Sequence, residues 1–231
     1  MPGAALWKVD MHSHTRLSRD SLNHPRLLVE TAARRGLQAL CVTDHNGLAH
    51  ALALARLPDL PLRVIPSEEV KTREGEIIGY FLQELVPKGL SPEETVQRIH
   101  DQGGLACVPH PFDRARAGSR LQRPALERLV AAGLVDILEV FNARATFADD
   151  NREARAFAQA HGLPMSAGSD AHTLLEVGRA YVEVPPFATA PEFLAALRQG
   201  RVQGQLSSAL IHVSSKWATL VQTLRPGSVE F

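Results

Sequence analysis

Short runs of Val, Ile and Leu recur along this chain, each closed by a polar cluster and followed by an amphipathic stretch. That rhythm admits few folds. Strands buried on both faces read as near-continuous apolar runs, and they need helices to cover them. The runs predict strands over residues 8–11, 38–43, 63–66, 77–82, 105–108, 136–141, 164–167 and 180–184. Between them, residues 25–35, 124–132, 149–161 and 190–199 carry helical spacing. Ser91-Pro92-Glu93-Glu94 opens a further helix with an N-cap serine, an early proline and acids in the first turn. Gly36, Gly133 and Gly162 stand where three of these helices should stop. Strands alternating with helices predict a parallel α/β fold. Seven or so such units in 231 residues fit a small barrel better than an open sheet. One domain over residues 1–224 is expected, with a closing helix over 214–224 and a tail at 225–231.

The polar clusters fall at the strand ends and are rich in His and carboxylate. They are Asp10-Met11-His12-Ser13-His14, Thr43-Asp44-His45, Ser67-Glu68-Glu69, Val108-Pro109-His110-Pro111 and Gly168-Ser169-Asp170-Ala171-His172. Strand side chains alternate with period two, so residues 10, 12 and 14 are expected to share a face. In α/β folds, sites are built at the C-terminal rim of the strands. Clusters that select this rim predict a multinuclear metal site. The donors include no thiolate, which suits Mn²⁺, Zn²⁺ or Fe²⁺. His24, His100 and His161 fall at or near helix ends and read as surface imidazoles, and no role is assigned to His50 or His212.

Composition excludes several classes. The 25 basic and 25 acidic side chains balance to a formal net charge of zero, which excludes a strongly basic groove tracking long duplex nucleic acid. Cys41 and Cys107 both lie in apolar runs, so a disulfide-framed secreted domain is not expected. No segment reaches the roughly 18 apolar residues of a membrane span, and the chain opens without a basic leader. A cytoplasmic protein with no membrane partner is the expectation.

The motifs Asp10-Met11-His12-Ser13-His14, Thr43-Asp44-His45, Pro109-His110-Pro111 and Ser169-Asp170-Ala171-His172 resemble those of the PHP (polymerase and histidinol phosphatase) family of metal-dependent phosphoesterases. They occur in the family's order from Val9 to about Tyr181. The resemblance implies a distorted (β/α)7 TIM-like barrel with two or three divalent ions at its C-terminal rim. It is closest to short stand-alone members that act on nucleotides or nucleic-acid ends, and no polymerase module is evident. It further implies His12, His14, Asp20, His45, Glu69, His110, Asp170 and His172 as ligands. Asp20, in Leu17-Ser18-Arg19-Asp20-Ser21, also reads as a turn or cap aspartate. Glu68 competes with Glu69, since one register slip exchanges them. Many members have a histidine where this chain has Glu76, in Gly75-Glu76-Ile77-Ile78-Gly79-Tyr80; Glu76 is expected to reach the metal cluster in its place, directly or through a bound water.

Asp10 and Asp44 are assigned to orienting the ligand imidazoles. Arg114, Arg116, Arg144 and Arg179, with Asn142, are the candidate phosphate and substrate contacts, because phosphate oxygens need cations beyond the metals. The expected reaction is hydrolysis of a phosphate ester by a metal-activated hydroxide, with His172 and Arg144 assisting. The expected substrate is a small phosphorylated compound, a nucleotide or short oligonucleotide. Histidinol phosphate or another small metabolite is the alternative substrate, and a catalytically silent metal-binding domain is the alternative of another class.

Overall fold

The computed structural model describes residues 5–208, 217–221 and 223. The first three strands, β1 (Trp7–Asp10), β2 (Ala39–His45) and β3 (Arg63–Thr72), pair in parallel. So do β5 (Leu105–Val108), β6 (Ile137–Asn142) and β7 (Met165–Gly168). Between these triplets β4 (Gly75–Tyr80) runs antiparallel to both neighbours. Beyond β1, the sheet continues antiparallel through β8 (Ala180–Val184) and β9 (Arg201–Gly204). The sheet curls until the chain beyond β1 meets the chain beyond β7. Met11 N donates to Ala167 O at 3.2 Å, Asp170 N to His12 O at 2.7 Å and His14 N to Ala171 O at 3.0 Å. The result is a nearly closed barrel.

The helices are α1 (Pro25–Arg34), α2 (Ala49–Ala55), α3 (Pro92–Asp101), α4 (Arg123–Ala131), α5 (Ala148–His161) and α6 (Ala190–Leu197). Ser91 and Glu94 form a capping box at α3, and Gly162, at φ 64°, ends α5 in the left-handed conformation. Strand alternation divides the core in two. Ala39, Cys41, Ile65, Ile78 and Cys107 fill the barrel, while Leu40, Val42, Val64 and Val70 pack beneath the helices. Both cysteines are buried and free. No helix among the described residues is long and apolar enough to cross a membrane.

Three expectations are corrected. The strands are not all parallel, and the strict strand–helix alternation fails where β3 turns directly into β4. Gly75 makes that turn possible, at φ 134° and with a hypothetical Cβ only 2.3 Å from Leu121 Cα. β3 also runs on to Thr72 rather than stopping at residue 66, and β9, exposed and polar, has no counterpart among the expected strands. Of the expected closing helix, residues 217–221 and 223 are helical. The rest of it, His212 and the tail at 225–231 lie outside the described residues.

Candidate metal centre

The alternation that fills the barrel also aims the site. On β2, the inward parity of Ala39 and Cys41 continues to Thr43 and His45; on β3, that of Ile65 continues to Ser67 and Glu69. β2 and β3 pair His45 with Glu69 and Asp44 with Glu68, so Glu69 faces the imidazoles. Glu68 faces outward and accepts from Val86 N at 2.9 Å; burial raises its pKa to about 7. Asn46 holds this register from the side, donating from its backbone to Glu69 O and accepting from Lys71 N, each at 2.9 Å.

Glu69 is the centre of the cluster. Its Oε2 lies 3.1 Å from His45 Nδ1, 3.3 Å from His12 Nε2 and 3.5 Å from His14 Nε2, and its Oε1 lies 3.0 Å from His110 Nε2. Asp170 Oδ1 lies 3.2 Å from His14 Nε2 and 3.6 Å from His12 Nε2. Asp20 Oδ2 lies 3.0 Å from His172 Nε2 and 3.7 Å from His45 Nε2. His110, at φ 30°, and Asp170, at φ 52°, sit in the left-handed region, backbone strain of the kind that functional sites retain.

Among the described residues three donor triads emerge, with ligand atoms within 4.8 Å of one another: His14 with His45 and His172, His12 with His14 and Asp170, and His12 with Glu69 and His110. Divalent ions fit this donor set. The buried atoms His14 Nε2 and Asp170 Oδ1 face each other without a hydrogen bond, as two groups sharing a cation do. Burial, with the charges of His172 and His45, lowers His14 to a pKa of about 3, so its imidazole is neutral, as a ligand must be. Burial works against Glu69 and Asp170 ionising. The imidazoles of His12 and His45 nevertheless hold Glu69 well below the carboxylate range, and the Arg116 guanidinium with His12 does the same for Asp170.

Two side chains set the imidazole tautomers. Glu139 Oε1, on β6, lies 3.0 Å from His12 Nδ1, and its Oε2 accepts from His110 N at 2.7 Å. Ser18 Oγ donates to Asp44 Oδ1 at 2.7 Å and therefore accepts from His14 Nδ1, 3.2 Å away. Each arrangement puts the proton on Nδ1 and the lone pair on Nε2, toward the carboxylates. The sequence reading missed Glu139. The available signal was a lone carboxylate between Leu138 and Val140 in an otherwise apolar run.

Other expected residues are placed differently. Asp10 touches no imidazole; it accepts from the backbone of Ser169, Gly178 and His12 at 2.9, 2.9 and 3.3 Å. The shared face expected for residues 10, 12 and 14 is absent because β1 ends at Asp10 and Met11 packs into the barrel. Burial raises Asp10 to about 6. Glu76 lies at the edge, 3.9 Å from both His110 Nε2 and Lys71 Nζ, and in none of the triads. Asn142 donates to Glu139 at 3.1 Å and to Asp170 at 3.2 Å, so it braces two carboxylates. Arg114 bonds Asp150 at 2.7 Å and belongs neither to the triads nor to the lining of the cavity beside them. Arg179 lines a separate cavity with Arg35, Tyr181 and Gln203.

The cluster opens into a cavity of about 370 Å³ lined by Asp20, His45, Glu76, Arg116, Ser119, Arg144 and His172. Arg116 Nη2 is 2.5 Å from Asp170 Oδ2, and Arg144 Nε is 3.5 Å from Glu176 Oε1. A larger cavity of about 590 Å³, between the ends of α5 and α6, holds none of the triad residues. The donors identify the site, not the volume.

The PHP domain model matches residues 10–82, and a PHP-associated model matches residues 148–202. An uncharacterized protein of Methanocaldococcus jannaschii is 37% identical over 199 residues, 83% of this chain and 79% of its own length. Among solved structures, a two-domain protein from Bacteroides vulgatus, described as containing a predicted PHP-like metal-dependent phosphoesterase, superposes with TM-score 0.73 at 21% identity. That match covers 89% of this chain, which spans only 66% of the two-domain chain. PsfC from Pseudomonas syringae superposes with TM-score 0.66 at 19% identity, over 96% of this chain and 99% of its own. These two likenesses concern the fold; the family follows from the matched domain models and the close relative together, and by them this chain belongs to the PHP family.

Proposed function

We propose that the chain is a metal-dependent phosphoesterase that hydrolyses a small nucleotide-type substrate in the cytoplasm. The observation that carries this reading is the set of three donor triads, linked in a chain through His14 and His12, beside a cavity that also presents Arg116 and Arg144. His12, His14, His45, Glu69, His110, Asp170 and His172 would hold the ions, with Asp20 at the open side. Bound Mn²⁺, Zn²⁺ or Fe²⁺ would polarise the phosphoryl oxygens and lower the pKa of an attacking water.

The chain's own residues supply the remainder. Arg116 and Arg144 line the same cavity as His45 and His172 and offer guanidinium groups to the phosphate. His172 Nδ1 donates to Asp170 O at 2.8 Å, which leaves Nε2 as the lone pair directed at the open side of the cluster. Asp20 and His45 have side chains 33% and 29% exposed, whereas those of Glu69 and Asp170 are almost fully buried, so substrate is met at that open side. The free thiols Cys41 and Cys107 are consistent with a reducing compartment.

The test is hydrolysis of p-nitrophenyl phosphate, its bis-ester, 3′,5′-bisphosphonucleosides, short 5′-phosphorylated oligonucleotides and histidinol phosphate, each with Mn²⁺. Turnover of a nucleotide substrate, abolished by chelation and restored by Mn²⁺, is expected. Turnover of histidinol phosphate alone would move the chain to the metabolite phosphatases, and full activity in metal-free protein would overturn the mechanism.

A further inference from the structure

We infer that the exposed ring of Phe147 is a stacking site for a nucleobase, so that substrate is held by its base as well as by its phosphate. The inference rests on the phosphoesterase reading above. Phe147 is the N-cap residue of α5 and 47% exposed. This position favours Ser, Thr, Asp or Asn, whose side-chain oxygen satisfies an orphan helix N–H. Ser91 and Thr189 do that for α3 and α6; Phe147 makes no such bond. α1, α2 and α4 also start without a side-chain cap, at His24, Leu48 and Gln122, so the exposed ring rather than the missing cap sets the start of α5 apart.

The ring is backed and held. The Arg114 guanidinium lies over it, 4.5 Å from its centroid. Arg114 is fixed in turn by Asp150, a buried residue of α5, through its Nε at 2.7 Å and its backbone N at 3.1 Å. A planar cation clamped behind an aromatic ring makes an ordered platform that needs little rearrangement to receive a second flat group.

The platform stands beside the cavity. Arg114 begins the 3₁₀ turn Arg114–Arg116, whose last residue lines it. Phe147 follows by three residues Arg144, which lines it from another segment. Three residues of chain span at most about 10 Å, and two residues of 3₁₀ helix rise about 4 Å. A phosphate between Arg116 and Arg144 therefore leaves an attached nucleoside within reach of the ring. The cavity lining contains no Phe, Tyr or Trp, and its flat groups, His45, His172, Arg116 and Arg144, are those assigned above to metal and phosphate. Among the described residues, Phe147 and Trp217 are the exposed large aromatics.

The experiment compares adenosine 5′-phosphate with ribose 5-phosphate, which lacks the base, in the parent, Phe147→Ala and Phe147→Trp, with Mn²⁺. Both kcat/KM and equilibrium binding are measured for each pair. The preference for the nucleotide should fall about tenfold in Phe147→Ala, as loss of one base–aromatic stack implies, and persist in Phe147→Trp. An unchanged preference in Phe147→Ala, with turnover retained, overturns the stacking site and leaves the phosphoesterase reading intact. Binding preference that depends on Phe147 without turnover by any of the proteins upholds the stacking site and overturns the phosphoesterase reading. Neither binding nor turnover overturns both.

Discussion

Replacing Glu139 by Gln tests how the metal centre is held together. The carboxylate faces three donors: His12 Nδ1 at 3.0 Å, His110 N at 2.7 Å and Asn142 Nδ2 at 3.1 Å. A carboxylate only accepts, so it satisfies all three. An amide does not. With its oxygen kept toward His12, its NH₂ meets the backbone N–H of His110 and the amide of Asn142, donor against donor, in a site with almost no exposure. With the amide flipped, its NH₂ faces His12 Nδ1, and the imidazole proton must move to Nε2. That atom is the one directed at Glu69 and Asp170, 3.3 and 3.6 Å away.

The first arrangement leaves buried donors unpaired, at about 1–3 kcal/mol. The second removes a ligand lone pair. Loss of such a partner to a ligand imidazole weakens metal affinity about 10–100-fold, or about 1.4–2.7 kcal/mol. Calorimetric titration of metal-free parent and Glu139→Gln with Zn²⁺ or Mn²⁺ reads the affinity, and thermal melts of the metal-free proteins read the packing cost. At least one of the two should fall: Tm in the first arrangement, affinity in the second. Parent-like affinity together with a parent-like Tm would refute the reasoning, because the amide would then have found a satisfaction that the geometry denies it.

Gly168→Ala should cripple the same centre from the other side. Its Cβ would stand 2.2 Å from His12 Cβ and 2.9 Å from Glu139 Oε1. Overpacking of about 1–3 kcal/mol in urea unfolding and more than about tenfold weaker metal binding are expected; unchanged titrations would show that His12 is free to move. The His100–Asp136 pair, at 2.7 Å, predicts a pH dependence remote from the centre. The hydrogen bond to Asp136 raises the His100 pKa above 6.5. Its contribution is therefore fully present below pH 6.5 and lost as pH rises through the raised value. The pair is partly exposed, so about 0.2–1 kcal/mol is at stake. Urea unfolding of the parent and His100→Gln should converge between pH 6 and 9, and a gap constant across that range would argue against the pair.

The strands were legible wherever they were uniformly apolar, and obscure where function interrupts them. The third run stops at residue 66 in sequence because Pro66-Ser67-Glu68-Glu69 looks like a loop, yet β3 continues for six residues beyond it. Those residues are polar for local reasons. Glu69 meets imidazoles inside the barrel, and Glu68 binds the backbone of Val86 outside it. Local signals are expected to disagree with the fold at functional positions. The run at 77–82 announced β4 as a strand but carried no sign of its antiparallel course. That course follows from the Gly75 turn, and it returns Glu76 to the rim from which β3 has just departed.

Histidines were legible in the site because residue type alone narrows their chemistry; the glutamates of the strands were not, because register decides their role. Glu76 and Glu139 pose the same puzzle in sequence, each a lone charge in an apolar strand. Glu76 stands opposite Lys71 and reaches only the edge of the cluster, where burial and the Glu69 charge raise its pKa. Glu139 stands where β6 shifts register against β7, between Glu139 and Phe141, and touches two of the histidines, His12 and His110. Such a shift re-aims a side chain toward the site. A single sequence records that a buried carboxylate needs partners; only the pairing of strands decides whether those partners are a lysine at the rim or the imidazoles at the centre.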